Sequence, residues 1–358
     1  MSQGTMTIGV YFQSWSSAWS SQRLDLEDCE GDVIYLAFVN PACSYVKGQF
    51  TLAGTGLDFS SDFSLVKKAI ASLKSRGKRV MLSVGGATYQ FQTVHVENLV
   101  ALQQDLGCDG IDIDWKPTSY DSNAFSLLLK QFGEKKVGYL SAAVFSVGGY
   151  GEDQWINAQP QGMYTGLNRK GLLEAGHYLD WINIMSYDAS DVFNPTEAFQ
   201  AYRSIFSKDI YLGFEVGPQA WGGALLTLDQ VKLWGRFIQE QKGHFFIWSW
   251  QKVGDPDARK VIETLEKNMS GIDIPKPVEL PIDLPLDPPV PPTNPKEPNP
   301  KEPNPCHCLC HLLTQDWKPW TIYVKGQQVR FTNRLYTCRQ SHTSQPDWTP
   351  PTALALWQ

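Results

Sequence analysis

Residues 109–116 read Asp-Gly-Ile-Asp-Ile-Asp-Trp-Lys. The run predicts a β-strand over 110–115, because Ile111, Ile113 and Trp115 alternate with Asp112 and Asp114. Successive side chains of a strand point to opposite faces, so Asp112, Asp114 and Lys116 share one side and the apolar residues the other. Three ionisable groups in file are costly in a dry core. They are tolerated where the strand end opens on a water-filled cleft, as at the C-terminal mouth of a closed parallel barrel.

The flanking sequence fits that placement. Short β-branched or aromatic runs predict strands at 7–13, 33–39, 79–84, 110–115, 138–144, 181–187, 210–214 and 245–248. Amphipathic helical patterns fall between or after them at 63–75, 94–106, 123–132, 169–178, 195–206, 228–241 and 257–269. Eight strands joined by crossovers predict an α/β chain folded as a (β/α)8 barrel rather than an open doubly wound sheet.

A Pro-rich stretch then interrupts the pattern. Residues 274–305 hold 13 of the 23 prolines and a tandem Asn-Pro-Lys-Glu-Pro at 294–298 and 299–303. Proline removes backbone donors and favours an extended polyproline conformation, so ~32 residues at ~3.1 Å each can hold two modules up to ~100 Å apart. The expected organisation is a barrel at 1–271, a linker at 272–305 and a small all-β module at 306–358.

Composition excludes some partners. A net charge of -6 and a pI near 5.6 disfavour nucleic acid and anionic membranes. No apolar run reaches the ~20 residues of a membrane span. The 13 tryptophans are many for an ordinary domain, and rings that stack on sugar faces are one use for such an excess. The N-terminal Met-Ser-Gln-Gly-Thr-Met-Thr-Ile-Gly-Val lacks the basic and apolar segments of a signal peptide. Export is therefore expected through lysis, a particle or a non-classical route, unless a signal has been removed. Cys306-His307-Cys308-Leu309-Cys310-His311 carries thiolates and imidazoles of the kind that bind zinc. Its one-residue cysteine spacing is too tight for a finger, and a disulfide to Cys338 or a crosslink between chains is the plainer reading. No metal and no cofactor are expected.

The strand motifs together resemble those of family 18 glycoside hydrolases, the chitinase family. Residues 109–116 are similar to its Asp-Gly-x-Asp-x-Asp-x-Glu signature, with Lys116 where the family has Glu. Ser83-Val84-Gly85-Gly86 resembles its third-strand Ser-x-Gly-Gly, Met185-Ser186-Tyr187-Asp188 its sixth-strand Met-x-Tyr-Asp, and Phe246-Ile247-Trp248-Ser249 its eighth-strand end. The resemblance covers residues 6–271 and implies a TIM barrel. The short interval between the seventh and eighth strands leaves no room for the α+β insertion of some members, which implies an open, shallow groove.

Residues 317–357 resemble chitin-binding modules of carbohydrate-binding families 5 and 12. So small a core cannot bury all its rings. The family pattern implies that Trp320, Tyr323 and Trp348 face the ligand, with Tyr336 and Trp357 in the core.

The resemblance also implies roles in a reaction that retains configuration by substrate assistance. Asp114 would hold the substrate's acetamido N–H, Tyr187 would brace its carbonyl, and Asp112 would tune Asp114. Asp188 would wall the site, Met185 would line it and Trp248 would floor it. The family's Glu protonates the glycosidic oxygen. A lysine ammonium, with an ordinary pKa of about 10.4, is a poor acid at neutral pH. It also repels the positive charge of the transition state by up to ~4 kcal/mol at ~4 Å and an effective dielectric near 20. The expected function is binding of chitin or another N-acetylglucosamine-containing glycan outside the cell, with weak or absent hydrolysis. Two alternatives remain open: an active endo-chitinase using a substitute acid such as Glu215, and a chitin-targeting subunit of a larger phage-like or toxin assembly.

Overall fold

The computed structural model describes residues 6–17, 23–117, 121–135, 137–151, 164–189, 193–217, 226–250 and 255–269 of the large unit. In the C-terminal stretch it describes 315–317, 322–323, 328–332, 334–339, 342–343, 350 and 357. Chain contacts divide the protein into two compact units, Met1–Ile274 and Pro275–Gln358.

In the first unit eight parallel strands close into a barrel in sequence order. They are β1 (Ile8–Gln13), β2 (Val33–Val39), β3 (Arg79–Gly85), β4 (Gly110–Asp114), β5 (Tyr139–Phe145), β6 (Trp181–Met185), β7 (Asp209–Glu215) and β8 (His244–Trp248). Pairing of Ile8 with Phe245 closes the ring. Among the described residues seven helices follow: α1 (Phe63–Ser75), α2 (Val96–Leu106), α3 (Ser122–Gly133), α4 (Arg169–Ala175), α5 (Pro195–Arg203), α6 (Leu228–Glu240) and α7 (Ala258–Met269). Local signals set their ends. Asp62 accepts the Leu65 N–H before α1, Thr227 and Gln230 form a capping box on α6, and α2 stops at Gly107 in the left-handed region. The described part of the β1–β2 connection carries short 3-10 turns at Ser14–Ser16 and Asp25–Asp28.

Strand alternation builds two apolar layers. Val10, Ile34, Leu82, Ile111, Ile113 and Trp115 belong to the layer between strands and helices. Tyr11, Tyr35, Met81, Trp181, Phe246 and Trp248 fill the barrel interior. At the N-terminal end the strands are clamped in pairs. The residue before β2, β4 or β6 gives its N–H to the preceding strand, and its carboxylate takes an N–H back: Asp32 from Ile8, Asp109 from Val80, Asp180 from Leu140. At the closing seam His244 Nδ1 accepts the Thr7 N–H in the same way, at 3.1 Å.

Two strands end earlier than their patterns predict. β4 stops at Asp114 because its neighbour turns away at Gly85 and Gly86, which have φ of 107° and 73°. A Cβ on Gly85 would lie 2.3 Å from the Asp114 carbonyl oxygen, so only glycine fits there. β6 stops at Met185 because the Ser186 hydroxyl takes over the pairing, donating to Gly213 O at 2.7 Å and accepting from Gly213 N at 2.9 Å. Lys116 and Tyr187 therefore stand on the loops at the C-terminal mouth, just beyond their strands.

In the second unit β11 (Gln328–Phe331) pairs antiparallel with β12 (Arg334–Thr337) and parallel with β9 (Gln315–Asp316), while β10 (Ile322–Tyr323) pairs antiparallel with β13 (His342–Thr343). Tyr323, Val329, Cys338 and Trp357 form its core, with Trp317 and Tyr336 packed against it.

Candidate active site

The site is assembled at the barrel mouth from strand ends that the register brings level. Ser83, Asp112 and Ser141 are paired neighbours on β3, β4 and β5. Asp112 is completely buried, and it accepts hydrogen bonds from Tyr11 Oη (2.9 Å), Ser83 Oγ (2.8 Å), Ser141 Oγ (2.6 Å) and Asn183 Nδ2 (3.3 Å). Burial pushes its carboxyl up to about 6. The hydroxyls of Ser141, Ser83 and Tyr11 pull the other way, and the charge of Asp114 adds to the rise.

Asp114, only 5% exposed, faces the mouth instead of Asp112's cradle. Its Oδ1 lies 2.5 Å from Lys116 Nζ. The ammonium also touches the Met185 sulfur and sits 5.4 Å from the centroid of the Phe145 ring. A cation just beyond β4 is thus seated on an anion, a thioether and a π face. Its direction is fixed from behind, where buried Trp115 stacks on Phe125 at 5.3 Å.

Tyr187 is half-buried beside β6. Burial raises its hydroxyl well above the usual value, and Glu215, Asp114, Asp188 and Asp112 reinforce the rise, so it stays protonated and able to donate. Asp188 is exposed and holds a left-handed φ of 52°, a conformation that side chains other than glycine adopt at a cost. Glu215, 6% exposed, ends β7 in register with Trp248 of β8. Trp248 stacks on Phe38 at 5.5 Å, and Phe38 on Trp15 at 6.2 Å, which makes a file of rings from the floor of the mouth outward. Trp15 is 49% exposed.

Asp112, Asp114, Lys116, Met185, Tyr187, Asp188, Glu215 and Trp248 thus all lie at one end of the barrel. Sequence reasoning missed Tyr11, Trp15, Phe38, Ser141 and Asn183. A signal existed for Ser141 and Asn183, since each is a polar residue inside an apolar strand. In the second unit Tyr323 corrects an expectation. It is not an exposed platform but fully buried, packed edge-on against Trp357 at 4.9 Å, because so small a sheet needs large rings to form any core. Trp357 is buried and Tyr336 partly so, as expected. Trp320, Trp348, Cys306, Cys308 and Cys310 lie outside the described residues. Among the described residues no group of three His, Cys, Asp or Glu could hold a metal ion. No described helix is long and apolar enough to cross a membrane.

Residues 7–221 match the family model for glycosyl hydrolases family 18, and residues 316–358 that for carbohydrate-binding module family 5/12. Endochitinase 1 of Metarhizium anisopliae is 32% identical over 150 residues, which are 38% of this chain and 33% of that protein. The chain thus spans about a third of the length of that curated relative. Streptogrisin-C of Streptomyces griseus is 45% identical over 42 residues, 12% of this chain and 9% of its own. A family 18 chitinase structure from Pseudoalteromonas aurantia superposes with a TM-score of 0.53 at 19% identity, covering 72% of this chain and 99% of that one, and so shares the fold. The chain belongs to glycosyl hydrolases family 18, with a family 5/12 carbohydrate-binding module at its C-terminus.

Proposed function

We infer that the protein binds chitin, or a related N-acetylglucosamine polymer, outside the cell, and hydrolyses it weakly or not at all. The observation that carries this reading is the Lys116–Asp114 ion pair at the acid position. The groove keeps what is needed to hold an N-acetylated sugar. Asp114 supplies an acceptor for the acetamido N–H, Tyr187 a donor for its carbonyl, and Trp248 an apolar floor. What it lacks is an acid strong enough to protonate the glycosidic oxygen, and loss of general-acid help costs about 10²–10⁴ in rate. The fixed ammonium adds repulsion against an oxocarbenium-like transition state.

Binding to insoluble chitin separates the contributions of the two units. A chain ending at Asn304 should lose most of its affinity for chitin particles, because it lacks the carbohydrate-binding module at 316–358 and its aromatic residues. Full retention would remove the module from the function. In the whole chain, Trp248→Ala should weaken binding of soluble N-acetylglucosamine oligomers about tenfold or more by calorimetry. An unchanged affinity would make the barrel groove a bystander. The rival reading gives the acid role to Glu215, whose buried carboxylate ends β7, three strands from β4 in the closed order. It requires substantial hydrolysis by the unmodified protein that disappears in Glu215→Gln.

A further inference from the structure

Backbone pairing between β6 and β7 runs only as far as Ile184 opposite Leu212. One residue further along β7, both backbone groups of Gly213 turn to the Ser186 hydroxyl, which donates to the carbonyl at 2.7 Å and accepts from the N–H at 2.9 Å. A hydroxyl that gives and takes in this way stands in for a peptide group of the missing strand. The Ser186 N–H folds back onto Ile184 O at 2.8 Å, which closes a three-residue turn across Met185. Ser186 is buried, so these bonds do not compete with bulk water.

The residue that this arrangement carries is Tyr187. Its ring packs edge-on against Phe246, with centroids 6.2 Å apart and an interplanar angle of 69°. Phe246 in turn fills the space beside Gly213, where a Cβ would lie 2.4 Å from the end of the Phe246 ring and 2.7 Å from the Ile184 carbonyl oxygen. Gly213 thus locates Tyr187 twice, through the Ser186 hydroxyl on the backbone side and through the Phe246 ring on the side-chain side. Past Tyr187 the chain enters the left-handed turn at Asp188. Such a conformation persists only where its surroundings hold it, and the Ser186 bonds hold the segment two residues before it.

We propose that Ser186 is a positioning residue for the N-acetyl group: its hydroxyl fixes where the Tyr187 phenol stands, and so sets the preference of the groove for acetylated over deacetylated sugar. This rests on the reading that Tyr187 donates to the acetamido carbonyl of a glycan in the groove. The Ser186 hydroxyl is itself engaged by β7 and acts only through its neighbour. Without it, the Gly213 N–H and carbonyl lose these partners in a buried site, which is costly. The chain recovers them by letting the β6 backbone pair further along β7. An extended pairing re-aims the residue that follows, because side chains of a strand alternate between its faces. A phenol re-aimed in this way misses the carbonyl, while Trp248 keeps its place on β8.

The test compares binding of the N-acetylglucosamine tetramer and the glucosamine tetramer to the full chain by calorimetry, following in each case the component that Trp248→Ala removes. Ser186→Ala is expected to weaken the acetylated tetramer about tenfold and leave the deacetylated one within about twofold, the same pattern as Tyr187→Phe. Ser186→Thr returns a hydroxyl and is expected to return the preference. Added to Tyr187→Phe, Ser186→Ala should weaken binding no further, because both remove one interaction. If the alanine chain does not fold, the same outcomes are read from Ser186→Cys, which fills the same space with only a weak S–H donor. Equal affinity of Ser186→Ala and the unmodified chain for the acetylated tetramer, with Tyr187→Phe still damaging, overturns the role of Ser186 and leaves the groove reading intact. Equal losses for the two tetramers also overturn it, since the hydroxyl would then support the whole site. If Tyr187→Phe changes nothing, the roles of Tyr187 and Ser186 fall together. If Trp248→Ala removes no component at all, the groove reading falls with them.

Discussion

Lys116→Glu is expected to raise hydrolysis of soluble N-acetylglucosamine oligomers by at least ~10²-fold over the unmodified protein. The surroundings of position 116 favour a working acid. A glutamate there would meet the Asp114 carboxylate, now 2.5 Å from the ammonium, together with the Met185 sulfur and the face of Phe145. A like charge and an apolar wall both raise a carboxyl pKa, so the new side chain would remain protonated near neutrality and able to donate. The same substitution removes the repulsive cation and frees Asp114 from its ion pair. Buried Trp115, stacked on Phe125, fixes the direction of the following backbone, so no rearrangement is required. Product release from the oligomers, followed by chromatography, gives the answer. A glutamate variant no more active than the unmodified protein would mean that more than the side chain at 116 limits hydrolysis.

The barrel was legible because its strands are apolar on both faces. Each run of Val, Ile, Phe or Leu predicts a strand wherever its exact ends fall, and the eight runs predict closure. The motif residues were legible for another reason, since Asp112, Asp114, Tyr187 and Trp248 stand in or just beyond strands that a sequence resemblance can place. The cradle around Asp112 was not legible. Tyr11, Ser83, Ser141 and Asn183 come from four strands, and they meet only because the closed register sets them level. Register between parallel strands leaves no trace in a single sequence when both faces are buried. The strand ends failed for a local reason: alternation continues through Trp115 and Ser186, while the backbone pairing is cut by Gly85 and replaced by the Ser186 side chain. Tyr323 failed because alternation in a tiny sheet does not say which face is the core.

That unseen cradle produces the second large effect, a stability that rises on mild acidification. The Asp112 carboxyl is raised from 3.8 to about 6 in the folded chain, chiefly by burial. A group raised in this way binds a proton in the folded state that the unfolded state gives up. Its stabilising contribution is complete below about pH 4 and is lost as pH rises through about 6. The shift of about 2 units corresponds to roughly 3 kcal/mol between the two limits. Denaturant unfolding at stepped pH values checks it against Asp112→Asn, whose amide cannot titrate. The asparagine variant has a different absolute stability, because an amide presents only one acceptor oxygen to the donors of Tyr11, Ser83 and Ser141. The comparison is therefore of slopes between pH 4 and 6, where the unmodified chain should gain stability toward acid and the variant should lack that gain. Parallel curves would mean that the hydroxyls around Asp112 offset its burial and that it is charged across the whole range. Asp114 would then have the full negative charge of Asp112 behind it in the groove at every pH tested.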